Sequence, residues 1–533
     1  MSDEQTTEPQ NLVKQGSILS VLTLVSRVLG LMREMVKAAL LGTTPLSDAF
    51  TVAFMVPNLF RRLFAEGSIS VAFIPTFKGY LIEGDTAKTQ TFLSSFITAL
   101  TVLVTTVVTL GIIAAPWIIP FFGLTELDET ILLTRIMFPY LALISFAALL
   151  QGILNSHHIF IPTGLAPILL NITVIGCSYL LTPLMANPAR AMAVGVMIGG
   201  TLQVLIQVPG VLRKGHRFGY TGLKQAFTNP GTRTVFRLVG PTIIGMAAYQ
   251  LNDLVSTALA GNAGPGVVSS LQYSLRLQEL ILGVFAVSLG TVLLPDLAGQ
   301  AKRNQWGEFN RRLVMAIDII ALITIPITFF SLIQGEYIIR LLFQSRSFDE
   351  SSVALTKEAF TFHMLGLFFI ALNRILAPAF YAQSNSKSPT IAGVFSFFIN
   401  MILAALLVGP MKGGGVALAL SIASGVNTAL LFIFMRRTPQ IDMRHIIGSS
   451  VRYTGKLLAF SALASIPVYV VSPALYRLFA GRGRLISYGI PLTLSTILFG
   501  VVGLILLWIS GDALLKMVTQ RLSQRLGKHG TSQ

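Results

Sequence analysis

The sequence is poor in charged residues and nearly lacks cysteine. Charged side chains make up 11% of its 533 residues, whereas about 25% is usual in a soluble domain. The sole cysteine, Cys177, lies in an apolar run. It cannot form a disulfide within the chain, and we interpret it as a small buried hydrophobe. The composition therefore excludes an ordinary soluble domain and any internal disulfide.

Several functional motifs are also missing. The chain contains no GxxxxGK[ST] loop, which argues against an ATP-driven motor, and no DDxxD or HExxH cluster. An integral-membrane enzyme such as a polyprenyl-phosphate transferase would need clustered acids with a metal, so we expect no enzyme. The polar start of the chain and the absence of a small-residue cleavage pattern predict no removable signal peptide.

Long apolar runs dominate the remaining sequence. Hydrophobic residues account for 53% of the chain, and the mean hydropathy is +0.73. A helix of roughly 20 apolar residues crosses the ~30 Å hydrocarbon core of a bilayer. We therefore predict an all-α polytopic membrane protein with about fourteen transmembrane helices, at residues 17–41, 46–78, 91–122, 131–155, 159–183, 190–212, 238–260, 266–297, 313–335, 357–383, 389–409, 414–435, 457–479 and 485–510.

The connections between these runs carry most of the basic residues. Residues 213–237 and 436–456 are rich in Lys and Arg, which accumulate on the cytoplasmic side of membrane proteins. Both termini are therefore predicted to be cytoplasmic. The arginines Arg477, Arg482 and Arg484 break this rule. Because topology explains the net charge of +17, we predict no nucleic-acid partner.

An internal repeat predicts the domain organisation. SISVAFIP at 68–75 resembles SLGTVLLP at 288–295, and the even number of helices between them indicates parallel repeats; chance similarity between apolar helices is the alternative. We predict two six-helix lobes around a central cavity, with two further helices. The predicted regions are the cytoplasmic tail 1–16, the N-terminal lobe 17–212, the basic loop 213–237, the C-terminal lobe 238–435, the basic loop 436–456, the helix pair 457–510 and the cytoplasmic tail 511–533.

Four arginines lie within the predicted spans: Arg27, Arg33, Arg61 and Arg276. Holding a charge at bilayer depth costs at least ~2.5–3.5 kcal/mol, so such residues normally face a cavity or a partner. Arginine stays charged, and its planar fork matches phosphate. Snorkelling to headgroups is the alternative, but Arg27 and Arg33 lie too deep in the first span for both to be end residues. The pattern predicts a site for a phosphate or diphosphate.

Acidic residues accompany these arginines. Glu34 follows Arg27 by two helical turns, and Glu279 follows Arg276 by three residues, so each acid shares a helix face with its arginine. Asp48 begins the second span and either pairs with an arginine or caps the helix. Such acids would position the arginines, although plain charge neutralisation explains them equally well.

Asp253 in the seventh span is a different signal. It follows Gln250 and Asn252, and a carboxylate among amides suits a monovalent cation. Asn400 and Asn427 are candidate companions from later helices. We therefore consider a Na⁺ site, with a buried aspartate bonded across helices as the alternative.

Four segments resemble the MurJ (MviN) family of lipid II flippases. They are SRVLGLMRE from residue 26, SDAFTVAFMVPNLFRRLFAEGSISVAFIP from 47, RLQELILGVFAVSLGTVLLP from 276 and RILAPAFYAQSNSKSP from 374. The PNLFRRLFAEG element is the most specific, and the resemblance covers the first twelve spans. It implies fourteen helices in two lobes that move the undecaprenyl-diphosphate-linked peptidoglycan precursor to the outer leaflet by alternating access.

The resemblance also implies roles for individual residues. The substrate-binding positions it implies are Arg27, Arg33, Glu34, Asp48, Asn58, Arg61, Arg276 and Glu279. Leu275 stands where the family commonly has an acid, so local pairing of Arg276 would fall to Glu279. A link of the family to Na⁺ in the second lobe makes Asp253 a candidate metal ligand. The last two helices would border a groove for the lipid tail.

We therefore expect a lipid II flippase of the bacterial inner membrane that serves cell-wall synthesis, with lipid II, the membrane and cell-wall synthesis proteins as partners. A flippase for another polyprenyl-diphosphate-linked oligosaccharide is the nearest alternative. A cation-coupled exporter of the same superfamily is another, although drug exporters favour acids and aromatics in the cavity.

Overall fold

A computed structural model describes residues 9–61, 68–517 and 519–520 of the chain. For residues 9–17, 60–61, 68–71, 241–249 and 284–294 it describes the backbone alone. Within these ranges the ordered elements are all helical and no strand occurs. The predicted all-α class is confirmed.

Eighteen α-helices make up the described chain. In order they are α1 (Pro9–Leu41), α2 (Pro45–Arg61), α3 (Ser68–Glu83), α4 (Thr86–Ile118), α5 (Leu127–Met137), α6 (Tyr140–Ser156), α7 (Ile161–Leu180), α8 (Pro188–Leu205), α9 (Val208–Arg213), α10 (Leu223–Thr228), α11 (Pro230–Asn262), α12 (Val267–Lys302), α13 (Trp306–Phe343), α14 (Glu350–Leu365), α15 (Leu367–Ala382), α16 (Lys387–Met435), α17 (Met443–Leu478) and α18 (Ile490–Ile509).

Each predicted span coincides with one or more of these helices. In the described ranges, eight helical segments are long and apolar enough to cross a membrane, and α14 with α15 makes a ninth if this pair, bent by 44°, is one span. The chain is thus a multi-pass membrane protein. The count of fourteen crossings stays a prediction.

Several predicted spans differ from single straight helices. The fourth is divided between α5 and α6 at Pro139, which lacks an N–H for the helical ladder. The tenth bends between α14 and α15. Spans eleven and twelve are two helices that meet at a kink at Lys412, with φ 44° and ψ −126°, within the range given for α16.

The chain forms two compact units, and the first contains residues 1–272 and 345–348. Small residues allow α8 to pack closely on α7: a Cβ on Gly195 would lie 2.9 Å from the Cβ of Cys177, and one on Gly199 would lie 3.2 Å from the Cα of Leu170. This small-xxx-small spacing is typical of packed membrane helices. Around it lies a core that includes Phe50.

The second unit contains residues 273–344 and 349–533. Here α13 packs on α17, and α14 on α16. The side chain of Gln334 accepts a hydrogen bond from Tyr476 and donates one to Ser472, which joins α13 to α17. The last helix, α18, packs on both through Phe499. The predicted domain boundaries themselves stay a prediction.

Candidate anion-binding site

The turn between α1 and α2 sets the geometry of the candidate site in the first unit. Gly42 follows the end of α1 with φ +58°, a left-handed conformation that glycine adopts without strain at helix ends. Pro45 then opens α2, where its missing N–H is harmless, and the hydroxyl of Thr44 accepts a hydrogen bond from the N–H of Ser47. The turn brings the second half of α1 beside the start of α2.

Arg33 is held between these two helices. Its guanidinium donates to the carboxylate of Glu34 at 2.9 Å and lies 5.9 Å from the ring centre of Phe54 on α2. The side chain of Arg33 is 17% exposed. Both contacts restrict the guanidinium while part of its fork remains accessible to a ligand.

Lys37 joins this group, although the sequence analysis did not select it. Its ammonium lies 3.7 Å from Glu34 and donates to the hydroxyl of Thr51 at 2.9 Å. That hydroxyl in turn donates to the main-chain oxygen of Ser47. Lys37 follows Glu34 by three residues, and this spacing could have revealed the pair.

Arg27 lies two helical turns before Glu34, as the sequence indicates, and outside this network. It is exposed on α1, among the exposed side chains of Val21, Leu24 and Val28. Arg27 and Glu34 share a face, but seven residues separate them by about 10 Å along the axis. Glu34 instead pairs with its nearer neighbours on α1, so the predicted network forms without Arg27.

Asp48 is fixed by the start of α12. Its two carboxylate oxygens accept hydrogen bonds from the N–H of Gly266 at 2.6 Å, the N–H of Ser269 at 2.7 Å and the hydroxyl of Ser269 at 2.6 Å. A carboxylate that accepts such bonds caps a helix N-terminus and complements its dipole. Asp48 therefore does cap a helix, but the helix is α12 rather than its own; its predicted contact with substrate stays a prediction.

Two predicted residues lie at the end of α2. Asn58 is half-buried on its last turn, and Arg61 is the last residue of the helix. The side chain of Arg61 lies outside the described residues, as do Arg62 and Glu66 entirely. The predicted roles of Asn58 and Arg61 remain predictions.

Arg276 and Glu279 belong to the second unit. The guanidinium donates to the carboxylate at 2.7 Å, one helical turn away on α12. The pairing expected from their spacing, in the absence of an acid at Leu275, is confirmed. Their side chains are 36% and 48% exposed, so both groups remain accessible.

Asp253 lies half-buried on α11. The hydroxyl of Thr257 donates to its main-chain oxygen. Among the described residues no group of three or more His, Cys, Asp or Glu side chains could hold a metal ion. The Na⁺ site at Asp253 stays a prediction.

Another polar contact in the first unit lies beyond the ends of the spans. The Nε2 atoms of His157, just after α6, and His216, after α9, are 2.8 Å apart, and Phe77 packs edge-on against both rings. Burial, with the positive charges of His216 and Lys214, lowers the pKa of His157 to about 4. Burial also lowers the pKa of His216. Both rings are therefore neutral at physiological pH.

The charges on α1 do not cancel. Arg27, Arg33 and Lys37 are cations, and Glu34 is the one acid between residues 27 and 37, which leaves two positive charges in excess. Lys37 is occupied by buried partners, whereas Arg27 and Arg33 keep accessible donors. This arrangement favours a ligand with two negative charges and several acceptor oxygens, such as a diphosphate diester.

Comparison with known proteins agrees with this chemistry. Residues 37–482 match the family model described as lipid II flippase MurJ. A probable lipid II flippase MurJ of Treponema pallidum (strain Nichols) is 46% identical, with 94% of this chain and 96% of that protein covered. The lipid II flippase MurJ of Burkholderia cenocepacia is 31% identical, with 80% and 84% covered.

Solved structures give the same result. A lipid II flippase MurJ in an inward closed conformation matches with a TM-score of 0.78 at 25% identity, covering 93% of this chain and 99% of that one. An inward-facing multidrug resistance MATE family transporter of the MOP superfamily matches with a TM-score of 0.64 at 15% identity, covering 79% and 95%; this second likeness concerns the fold alone. By sequence and by fold, the chain belongs to the lipid II flippase MurJ family.

Proposed function

We propose that this protein moves lipid II, the polyprenyl-diphosphate-linked precursor of peptidoglycan, from the inner to the outer leaflet of the bacterial inner membrane. It acts as a transporter and catalyses no covalent step. The observation that carries this proposal is the excess of two positive charges between residues 27 and 37 of α1, where Arg27 and Arg33 present accessible guanidinium groups. A diphosphate diester has the matching charge.

In this proposal Arg27 and Arg33 bind the diphosphate oxygens, and Glu34 orients Arg33. Because Arg33 is already fixed by Glu34 and Phe54, it loses little conformational freedom when the substrate binds. Arg61, Asn58 and the pair Arg276 and Glu279 are further predicted contacts. Asp48 supports the site by holding the start of α12.

Transport would proceed by alternating access, without ATP. Moving one net charge through a membrane potential of 100 mV is worth ~2.3 kcal/mol, which is enough to bias the direction of transport. Coupling to Na⁺ through Asp253 is a second proposal. The basic connections 213–237 and 436–456 support an orientation with both termini in the cytoplasm, and proteins of cell-wall synthesis are the partners that this function would need.

The test is a flipping assay in proteoliposomes with lipid II and, in parallel, another polyprenyl-diphosphate-linked oligosaccharide. We expect transport of lipid II and little of the second lipid. Arg33→Gln should reduce the rate at least tenfold, because a charge-assisted bidentate contact is lost. The matched control is Arg135→Gln, which removes an exposed arginine of the same unit that donates to the main-chain oxygen of Ile112.

Equal rates for Arg33→Gln and Arg135→Gln would contradict the assignment of the site. Preferred transport of the other oligosaccharide lipid would contradict the assigned substrate. Repeating the assay with and without Na⁺ and a membrane potential tests the coupling separately, since lipid II could be carried with either driving force.

A further inference from the structure

An apolar cavity of about 210 Å³ lies within the first unit, between α4, α6 and α11. Its wall includes Leu100 and Val104 of α4, Leu141 of α6, and Phe236 and Val239 of α11. An apolar cavity of about 150 Å³ stays dry and takes up apolar ligands. Hydrocarbon therefore suits this cavity better than water does.

The cavity reaches the surface of the helices. Leu100 and Val104 are 5% and 3% exposed, whereas Phe236 and Val239 are half-buried. The helix α4 is long and apolar enough to cross a membrane, and α11 contains the seventh predicted span, so we place the half-buried side of the cavity next to the lipid. A hydrocarbon chain can enter sideways without crossing water.

Two arginines stand on the same helix face as the cavity. Arg233, Phe236, Arg237 and Gly240 follow the three- and four-residue spacing of one face of α11, and both arginines are exposed. Phe236 lies about 5 Å and Gly240 about 10 Å deeper along the axis than Arg233. A phosphate bound at Arg233 would therefore lie within about 5–10 Å of the cavity wall along the helix axis.

The segment before α11 has the composition of a membrane-surface element. Tyr220, Leu223 and Phe227 are 69%, 60% and 43% exposed, and no acid occurs between residues 213 and 237. Exposed aromatic and basic residues together are typical of the membrane–water interface. The ring of Phe227 lies 6.2 Å from that of Phe236, which places this surface element at the mouth of the cavity.

We propose that this cavity is a binding site for an anionic phospholipid of the bilayer. One acyl chain fills the space between α4, α6 and α11, and the lipid phosphate is bound by Arg233 and Arg237. The site is separate from the residues proposed to bind lipid II. It would fix the start of α11, and with it the basic connection, to the membrane surface.

Chain binding is tested by filling the cavity. A Cβ on Gly240 meets no atom within 4 Å, so Gly240→Leu can occupy the space, and leucine is a better helix former than glycine. Purified protein is incubated with phosphatidylglycerol, and the retained lipid is measured by native mass spectrometry. We expect at least tenfold weaker binding in Gly240→Leu, since methylene contacts worth ~0.8 kcal/mol each are lost. The control is Gly176→Leu on α7, where a Cβ also meets no atom within 4 Å.

Headgroup binding is tested at the arginines. Arg237→Gln should weaken phosphatidylglycerol binding about fivefold, the effect of one basic residue at a membrane surface. It should weaken phosphatidylcholine binding less, because the choline cation of that lipid already offsets the phosphate charge. Arg213→Gln, which removes an exposed arginine from the end of α9, should have no effect on either lipid.

Three results would overturn the proposal. The first is wild-type phosphatidylglycerol binding in Gly240→Leu, with thermal unfolding showing that the variant is folded. The second is displacement of the lipid by glycerol phosphate alone, which would assign the site to a free phosphate. The third is displacement by a polyprenyl phosphate, which would make the cavity a site for the transported lipid tail.

Discussion

Two Arg–Glu pairs in this protein have the same chemistry and different surroundings. On α1, Arg33 and Glu34 are 17% and 10% exposed, and the buried Lys37 and Thr51 extend the group. On α12, Arg276 and Glu279 are 36% and 48% exposed, and their ion pair joins adjacent turns of one helix.

The two pairs differ in how deeply their side chains are buried. A buried charge needs its partners, because removing one leaves the other uncompensated. An exposed pair is screened by solvent and contributes about 0–1 kcal/mol. We infer that the charges on α1 form a fixed framework for the accessible face of Arg33, whereas Arg276 can reorient at little cost.

The largest expected effect tests that framework directly. Lys37→Met leaves the buried Glu34 with one cation fewer and Thr51 without its donor, so the free energy of unfolding should fall by about 3 kcal/mol. Thermal unfolding in detergent micelles measures it. Lys88→Met is the control, because Lys88 lies as far from Asp85 as Lys37 does from Glu34, at 3.7 Å, but its side chain is 67% exposed. If Lys37→Met and Lys88→Met were equally stable, the charges on α1 would not form a fixed buried framework.

A smaller effect is expected at the cap of α12. Asp48→Asn replaces a carboxylate that accepts three hydrogen bonds, and we expect a loss of about 2 kcal/mol. Ser269→Ala should lose about 1 kcal/mol, because one donor is removed. Asp85→Asn is the control, since Asp85 caps α4 at an exposed position and asparagine caps nearly as well. If Asp48→Asn were as stable as this control, the buried carboxylate of Asp48 would add nothing to the stability of the protein as a cap.

The histidine pair extends the comparison to a buried contact without charge. Because the pKa of His157 falls to about 4, the unfolded chain binds a proton below pH ~6.5 that the folded protein does not. Stability should therefore decline as the pH falls from about 6.5 towards 4. His157→Gln should flatten this decline, and His158→Gln should not, as measured by unfolding temperature against pH. A pH dependence unchanged in His157→Gln would contradict the role of the pair.

The smallest effect is expected at the exposed pair. Glu279→Gln should change the free energy of unfolding by less than about 1 kcal/mol. Glu34→Gln, the same substitution in the buried pair, should be clearly more destabilising. A larger loss of stability in Glu279→Gln than in Glu34→Gln would contradict the conclusion that the pair on α1 is the more important for stability.

Much of the fold could be predicted from the sequence, because the bilayer requires long apolar helices. Each predicted span coincides with one or more helices, and eight helical segments of the described chain are long and apolar enough to cross a membrane. The division of the fourth span at Pro139 could have been predicted, because proline lacks the N–H that a helix needs. The bend between α14 and α15 could not, since it depends on how those helices pack.

The candidate site was predicted less completely. Spacing predicted the pairing of Arg276 with Glu279 because residues three apart meet on one helix. It left Lys37 unselected. It also could not supply the partners of Asp48, which lie more than 200 residues away in the sequence.

By itself, the sequence determined that the chain is a multi-pass membrane protein with cations held in its first helix, since apolar length and charge are local properties of the residues. Only the tertiary structure decided which charges are already paired. Glu34 and Lys37 are buried together, Asp48 holds α12, and Arg27 remains exposed. The physical reason is that burial and pairing depend on which helices pack together. Those helices come from distant parts of the chain, so their contacts are not a local property of the sequence.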